Sequence, residues 1–284
     1  MSRLPLAATS LLLATLLTAT AAPIKFGPVR GQAGQSVQLI TSSNTVGGTI
    51  ETTVDGQRKS GTVVITRDRD LVWTFRDPAP DGTRRGMVKV NKIDTLGKTD
   101  IAGMTESLDE ISPLNGKMFS MAKSPAGDWT FELDGSVPRM RVEREINELK
   151  VYLKRDWYPE RAVNAGDSWE FDPAWIRMII EKDFSNAKTI GTMRLKQVRH
   201  SAERTLAVIE VSIHSSGAGF HADGSSEDGS LELKGEVFVN LNTMLDERLE
   251  LKGTLITKSH RNGVDTKMNL PIKLVVTKTF VRDF

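Results

Sequence analysis

The chain of 284 residues carries 38 Lys and Arg against 36 Asp and Glu, a formal net charge of +2, and contains no cysteine. The lack of cysteine excludes disulfide bonds and thiolate–metal sites, so core burial has to supply the stability. The balanced charge provides no field that would attract nucleic acid, and we expect no nucleic-acid partner.

The first 22 residues have the organisation of a secretory signal peptide. A short basic start, Met1–Arg3, precedes an apolar run from Leu4 to Leu17, and the small residues of Thr18–Ala22 supply a cleavage signal. The apolar run is too short to span a bilayer comfortably, and no later segment is apolar enough. We therefore predict an exported protein, periplasmic or secreted, with no transmembrane segment in the mature chain.

Residues 23–284 are predicted to form a single β-rich domain, with lobes at 23–135 and 136–284 as the alternative division. In the first part, runs bounded by turn residues predict strands at Ser36–Ser42, Gly48–Val54, Gly61–Arg67, Leu71–Phe75, Gly86–Leu96, Gly116–Ala122 and Trp129–Leu133. Asp55-Gly56 is a tight-turn signal between the second and third of these strands. The segment Gly97–Ser112 shows no clear period, and we interpret it as mostly loop with a short helical turn.

The hydrophobic period changes after Ser136. From there to Trp157, apolar residues recur every three or four positions, at Val142, Ile146, Leu149, Leu153 and Trp157. This spacing predicts a helix of about five turns with one apolar stripe. Ser136 suits the N-terminal cap, Pro138 suits the first turn, and Pro159 ends the helix. The opposite face mixes Arg, Lys and Glu, which is typical of a solvated face rather than a membrane-surface helix.

A second, shorter helix is predicted at Pro173–Lys182, after a turn at Ala165–Trp169. Three large aromatic residues, Trp157, Trp169 and Trp175, fall between the long helix and the strands that follow. No pattern typical of carbohydrate or base binding accompanies them. We therefore interpret these residues as a packing hub.

The C-terminal part predicts a meander of long strands. The strands are expected at Lys188–Arg199, Thr205–Ser215, Gly229–Leu241, Leu245–Ser259 and Val264–Arg282, with a tight turn at Arg261-Asn262-Gly263. Apolar and polar residues alternate along them, so each strand has one buried and one wet face. On the third strand the apolar residues of one parity are Leu231, Leu233, Val237, Val239 and Leu241.

The meander predicts a mainly β (α+β) fold, a strongly curved antiparallel sheet or half-barrel with one long and one short helix packed on it. Gly235 and Gly253 fall on the apolar parity of adjacent strands. Glycine weakens a strand unless a sharp bend, a helix or a ligand needs the space. The candidate binding residues on the concave face are therefore Gly235, Gly253, Leu233, Val237, Leu251, Leu255, Trp157 and Trp169.

Residues suited to metal or cofactor binding are sparse. His200, His214 and His260 are placed at strand ends or on a polar parity. His221 shares a loop with Asp223, Glu227 and Asp228, but the spacing matches no cation loop, and no metal site is predicted. The segment 217–222 has the form G-x-G-x-x-A, but a strand rather than a helix follows it, so no cofactor is predicted.

A hydrolase of unknown substrate is the alternative function. It would use Ser168 or the region of His221, Asp223 and Asp228. The chain contains no Gly-x-Ser-x-Gly elbow, and a nucleophilic serine needs a base within reach. Gly166-Asp167-Ser168 is more typical of a turn in which Asp167 caps backbone donors.

Two segments carry a family resemblance: Pro159–Phe171, which reads P-E-R-A-V-N-A-G-D-S-W-E-F, and Leu233–Asn240, which reads L-K-G-E-V-F-V-N. The order of elements resembles an uncharacterised family of exported bacterial proteins, a domain of unknown function with a Val-x-x-Gly-Asp-x-Trp turn before a C-terminal β-meander. The matching positions are Val163, Gly166, Asp167 and Trp169. Many members look like lipoproteins, whereas this chain lacks the cysteine. The resemblance implies no catalytic residues.

The predicted architecture is also similar to the half-barrel carriers of lipoproteins and lipids in bacterial envelopes, a likeness of architecture alone. We expect a non-catalytic exported envelope protein that binds an apolar, lipid-like ligand or a protein partner in the concave face of its sheet. The apolar sheet face and its two glycines motivate this expectation.

Overall fold

A computed structural model of the protein describes residues 22–133, 140, 142–143, 145–147, 157–173, 187–220 and 223–281. Its described strands are β1 (Ser36–Val54), β2 (Gln57–Phe75), β3 (Arg84–Ile101), β4 (Met104–Ile111), β5 (Met118–Lys123), β6 (Trp129–Leu133), β7 (Ser168–Phe171), β8 (Lys188–His200), β9 (Thr205–Phe220), β10 (Ser226–Asn240), β11 (Leu245–Arg261) and β12 (Val264–Val281). The fold is mainly β.

All twelve strands belong to one antiparallel sheet. The order across it is β6-β5-β3-β2-β1-β12-β11-β10-β9-β8-β7, and β4 pairs with the second half of β3. Among the described strands β6 and β7 end the sheet without pairing to each other, so the sheet is open. The first and last long strands, β1 and β12, pair along most of their length and join the N-terminal strands to the C-terminal meander.

One face of the sheet, here called the inner face, carries the main core. Its buried residues alternate along each strand, as at Leu249 and Leu251 on β11 and Leu274 and Val276 on β12. The core is densest near the ends of the strands that contain Ser36, Asn240 and Leu245. The opposite, outer face carries most of the charged side chains, including Glu236 on β10 and Glu250 on β11, which are paired in register. The predicted alternation of the meander is confirmed.

The C-terminal strands lie within a few residues of their predicted bounds, whereas the N-terminal half differs more. The two predicted strands at Ser36–Ser42 and Gly48–Val54 are one strand, β1, interrupted by a register shift between Thr45 and Gly48. Gly61–Arg67 and Leu71–Phe75 likewise belong to one strand, β2. Runs of Thr, Ser and charged residues concealed this continuity, because they give no hydrophobic period.

The prediction of a loop at Gly97–Ser112 is wrong. This segment contains the end of β3 and the whole of β4. The two strands are joined by Ala102 and Gly103, both with positive φ, 52° and 83°. That turn geometry normally selects Asn-Gly or Asp-Gly, so alanine at its first position concealed the hairpin. Because all of β4 is exposed, no buried face imposed a period-two pattern.

The predicted long helix, Ser136–Trp157, is not confirmed as one long element. Its described residues Met140, Val142, Glu143 and Glu145–Asn147 are helical, and the rest up to residue 156 lies outside the described residues. Trp157 is not helical. Val142 and Ile146 do pack against the main core, as the apolar stripe predicts. The predicted short helix, Pro173–Lys182, lies outside the described residues except for Pro173.

Gly235 and Gly253 mark a close approach of β10 and β11. A Cβ atom added to Gly253 would lie 1.7 Å from the backbone oxygen of Glu232, and one added to Gly235 would lie 1.8 Å from that of Glu250. Real Cβ atoms do not approach an oxygen this closely. The space at both glycines is therefore occupied by the backbone of the neighbouring strand.

A buried ion pair ties β11 to β12 within the main core. Lys278 Nζ lies 2.8 Å and 3.0 Å from the two carboxylate oxygens of Asp246, and the two side chains are 1% and 3% exposed. The same ammonium group lies 5.7 Å from the centre of the Trp73 ring on β2. Lys278 is in register with Leu39, so it continues the apolar parity of β12. Burying both charges costs desolvation free energy, so losing one partner destabilises the fold by leaving the other charge buried and unpaired.

We expect Gly253→Ala to destabilise the protein by about 3 kcal/mol, the upper end of the usual cost of overpacking, because backbone must move. Gly27→Ala is the matched control, since nothing lies within 4 Å of the added methyl group. The control should be neutral or slightly stabilising. Urea unfolding of both variants measures the difference, and equal midpoints would contradict the close approach.

We expect Asp246→Ala to lower the free energy of unfolding by about 3–5 kcal/mol, because it leaves the Lys278 ammonium buried without a counter-charge. The double variant Asp246→Leu with Lys278→Met removes both charges and should recover most of that loss. Chemical denaturation of the three proteins gives the comparison. If the double variant were as unstable as Asp246→Ala, the loss would come from removing the ion pair and not from leaving a buried charge unpaired.

Candidate functional site

The inner face carries a second apolar cluster apart from the main core. Ile50, Val63 and Leu270 are its buried members, and partly buried Ile65, Ile101, Leu255 and Met268 pack against them; we call these seven residues the distal cluster. They come from five adjacent strands, β3, β2, β1, β12 and β11. The cluster lies toward the turns at Asp55-Gly56 and Asn262-Gly263, the end of the sheet opposite the densest part of the core.

The distal cluster and the main core share one side of the sheet. Leu255 packs against both groups, and Ile272 and Leu270 continue the parity of Leu274 on β12. Four of the cluster's seven side chains are only partly buried, so apolar surface is accessible there. An accessible apolar patch on one face of a sheet suits an apolar ligand or partner.

The predicted binding residues fall into different environments. Leu233, Val237 and Leu251 are buried in the main core, none more than 2% exposed. Gly235 and Gly253 face neighbouring backbone, as described above. Leu255 alone of the predicted residues belongs to the distal cluster. The remaining members of that cluster were missed, because Val63, Ile65 and Ile101 are embedded in polar segments. The alternation of Gly61, Val63 and Ile65 on one parity of β2 was the sequence signal that could have identified Val63 and Ile65 as inner-face residues.

Trp157 and Trp169 lie in an aromatic group at the edge of the main core. The indole N–H of Trp169 donates a hydrogen bond of 2.8 Å to the backbone oxygen of Trp157. The Trp157 ring centre lies 5.9 Å from that of Phe171, and Phe26 stacks on Tyr158 at 4.6 Å. These contacts agree with a packing hub for the two residues. Trp175 lies outside the described residues.

The turn Val163–Trp169 connects the N-terminal segment around Ile24 to β8. Val163 forms a backbone bridge with Ile24, and the Gly166 N–H donates to the Leu195 oxygen at 2.7 Å. The Asp167 carboxylate accepts hydrogen bonds from the Asn164 backbone N–H at 3.0 Å and from Arg161 at 3.2 Å. These two donors lower the pKa of the Asp167 carboxyl. The turn therefore has a structural role, with Asp167 as its cap.

The outer face carries cross-strand ion pairs. Lys196 Nζ lies 3.2 Å from Glu210 and 2.8 Å from Glu236, and both contacts raise the pKa of Lys196. Two grooves, of about 500 and 320 Å³, open on the charged surface, and charged side chains line both. Their linings mix both signs, as with Arg204, which is paired with Glu247 at the larger groove. Neither groove contains a member of the distal cluster.

The histidines are not gathered into one site. His200, His214 and His260 are exposed, and their nearest polar partners are Thr205, Glu232 and Asp265 respectively, the last at 2.8 Å. His221 lies outside the described residues. Within the described part of the chain, no group of three or more His, Asp or Glu side chains could hold a metal ion.

The residues of the hydrolase alternative have turn and surface roles. Ser168 is exposed at the start of β7, and within the described ranges no base is hydrogen-bonded to it. Asp223 accepts hydrogen bonds from the backbone N–H and the hydroxyl of Ser225, at 3.0 Å and 2.6 Å, which is a turn motif. Asp228 is exposed on the outer face of β10.

The described residues include no helix that is both long and apolar enough to cross a membrane.

Comparisons with known proteins show no family for this chain. No protein-family model matches it, and no curated protein matches it. Among solved structures, it is similar to an outer membrane channel from Pseudomonas putida F1, with 9% identity, a TM-score of 0.23, and coverage of 88% of this chain and 97% of that chain. A β-barrel-like protein of a domain of unknown function from Brucella abortus gives 9% identity, a TM-score of 0.16, and coverage of 86% and 99%.

We expect the stability difference between the wild type and Asp167→Asn to depend on pH. Since the folded state lowers the pKa of Asp167, its carboxylate stabilises the fold above the ordinary value of 3.8, and this contribution disappears as the pH falls through the folded-state pKa. Denaturation at pH 6 should show the variant as less stable. The difference should shrink as the pH falls through and below the folded-state pKa of Asp167, and parallel curves would contradict the role of Asp167.

Proposed function

We propose that the protein is a non-catalytic exported protein of the cell envelope, periplasmic or secreted, that binds a lipid-like apolar chain on the inner face of its sheet. The observation that carries this proposal is the distal cluster. It is apolar surface beyond the main core, contributed by five strands and accessible at Ile65, Ile101, Leu255 and Met268.

The shape of the cluster supports an extended ligand. Ile50 and Met268 are direct register partners, as are Leu255 and Leu270, so the cluster crosses the strands as a continuous apolar band. We propose that the sheet curves around this band as a half-barrel, with the close approach at Gly235 and Gly253 as one of its bends. Each Å² of apolar surface that a hydrocarbon chain covers contributes about 25 cal/mol.

Polar groups next to the cluster favour an amphiphile rather than a plain hydrocarbon. Arg67 and Arg69 follow Ile65 on the same parity of β2, and their register partners on β1 are Ser43 and Thr41. A chain lying on Ile65 and Val63 would therefore place its head group beside two guanidinium groups and two hydroxyls. Guanidinium groups bind carboxylates and phosphates with paired hydrogen bonds. The proposed ligand is a single-chain amphiphile with an acidic head group.

The test uses neighbouring residues of β11 that point to opposite faces. Leu255→Gln places an amide in the distal cluster, and Ile256→Gln places the same amide on the outer face, where Ile256 is 37% exposed. Burying an unpaired amide costs about 1–3 kcal/mol by protein mutational data. Titration with a fluorescent fatty acid should therefore give about tenfold weaker binding for Leu255→Gln and wild-type binding for Ile256→Gln.

Native mass spectrometry of the purified wild type identifies the bound molecule. We expect a single-chain acidic lipid that is retained by Ile256→Gln and depleted in Leu255→Gln. Equal binding by both variants, or a wild type that binds no fatty acid probe and carries no lipid, would exclude the distal cluster as the site.

A further inference from the structure

The edge strand β4 is a surface that the proposed ligand site does not use. All eight of its residues are exposed, and among the described strands it pairs only with β3. Its register with β3 is regular from end to end, without a bulge. The strand also lacks proline and lysine, residues that commonly block such edges. A regular, fully exposed edge strand can accept another strand.

The turn before β4 determines which backbone groups face outward. Ala102 and Gly103 form a two-residue turn with positive φ at both positions, so the flanking Ile101 and Met104 are a hydrogen-bonded pair. Hydrogen-bonded and non-hydrogen-bonded pairs alternate along an antiparallel ladder. Thr105, Ser107 and Asp109 therefore direct their backbone N–H and C=O groups away from β3, toward the open edge.

The charges of β4 select the kind of strand that can pair with it. Glu106 and Glu110 lie on the inner face on either side of Leu108, Asp109 lies on the outer face, and the strand carries no basic residue. Antiparallel pairing of β4 with the β4 of a second copy would bring six carboxylates together along two adjacent strands. Like charges on paired strands are destabilising, so a second copy is a poor partner.

We propose that the open edge of β4 binds an extended basic segment of a partner protein by strand addition. Read from its N-terminus, the antiparallel segment places basic residues opposite Glu110 and Asp109, an apolar residue opposite Leu108, a small polar residue opposite Ser107 and a basic residue opposite Glu106. Its backbone hydrogen bonds are made to Ser107 and Asp109. This surface does not depend on lipid binding at the distal cluster.

The probe is the labelled peptide Thr-Thr-Lys-Lys-Val-Thr-Lys-Thr-Thr, titrated into the full-length mature protein with fluorescence anisotropy as the readout. Ser107→Pro removes an outward N–H without removing a bond to β3, since proline is tolerated at such edge positions. We expect at least tenfold weaker binding for Ser107→Pro and unchanged binding for Ser107→Ala. The variant Glu106→Gln with Glu110→Gln should weaken binding severalfold and reduce its dependence on salt.

Methylated peptides test the same contact on the unaltered protein, independently of how the proline variant folds. Methyl groups on the backbone nitrogens of the second Lys and the third Thr of the peptide, which lie opposite Asp109 and Ser107, should abolish binding. Methyl groups on the nitrogens of Val and the last Lys point away from β4 and should have little effect. Equal loss with both peptides, no binding of the unmodified peptide, or dimers that Ser107→Pro dissociates would overturn the proposal.

Discussion

The pairing of β1 with β12 is the interaction on which the rest of the structure depends. These strands lie more than 200 residues apart in sequence, yet they are in register from Ser36↔Val281 to Val54↔Val264 apart from one shift. Closing so long a loop costs conformational entropy before any contact compensates for it. Burial of apolar side chains on both strands of this pairing, here called the seam, supplies the compensation, with Leu39 on β1 and Val276 on β12 each 2% exposed. Without this seam, the main core and the distal cluster would each lose strands.

The strands continue well beyond the part that the main core occupies. At about 3.3 Å per residue, the 19 residues of β1 span roughly 60 Å. The half near Ser36 contributes Val37 and Leu39 to the main core, whereas the half near Val54 contributes only Ile50 and Gly48 to buried surface. Core burial accounts for the part of the sheet near Ser36. The part of the sheet near Val54 presents the distal cluster on its inner face and the open edge of β4, and these two features suit binding.

The sequence predicted the meander well because its inner face is buried along most of each strand, so that burial imposes a strict alternation. It predicted the N-terminal strands poorly for the complementary reason. In β4, neither face is buried, and in β2, the residues from Arg67 to Asp70 alternate charge rather than hydrophobicity. Lys278 was placed on β12 but not recognised as buried, because its counter-charge, Asp246, comes from another strand. Only the register of the sheet brings such residues together.

The two glycines that first suggested a ligand site do not themselves leave open space. Since the carbonyl oxygens of Glu232 and Glu250 occupy the positions of their missing Cβ atoms, no ligand can use that volume. The accessible apolar surface lies farther along the same face, and Leu255 is where the predicted residues meet it. There Ile101, a member of the distal cluster, is the register partner of Met104 on β4. A strand added to β4 would therefore extend the sheet beside the distal cluster.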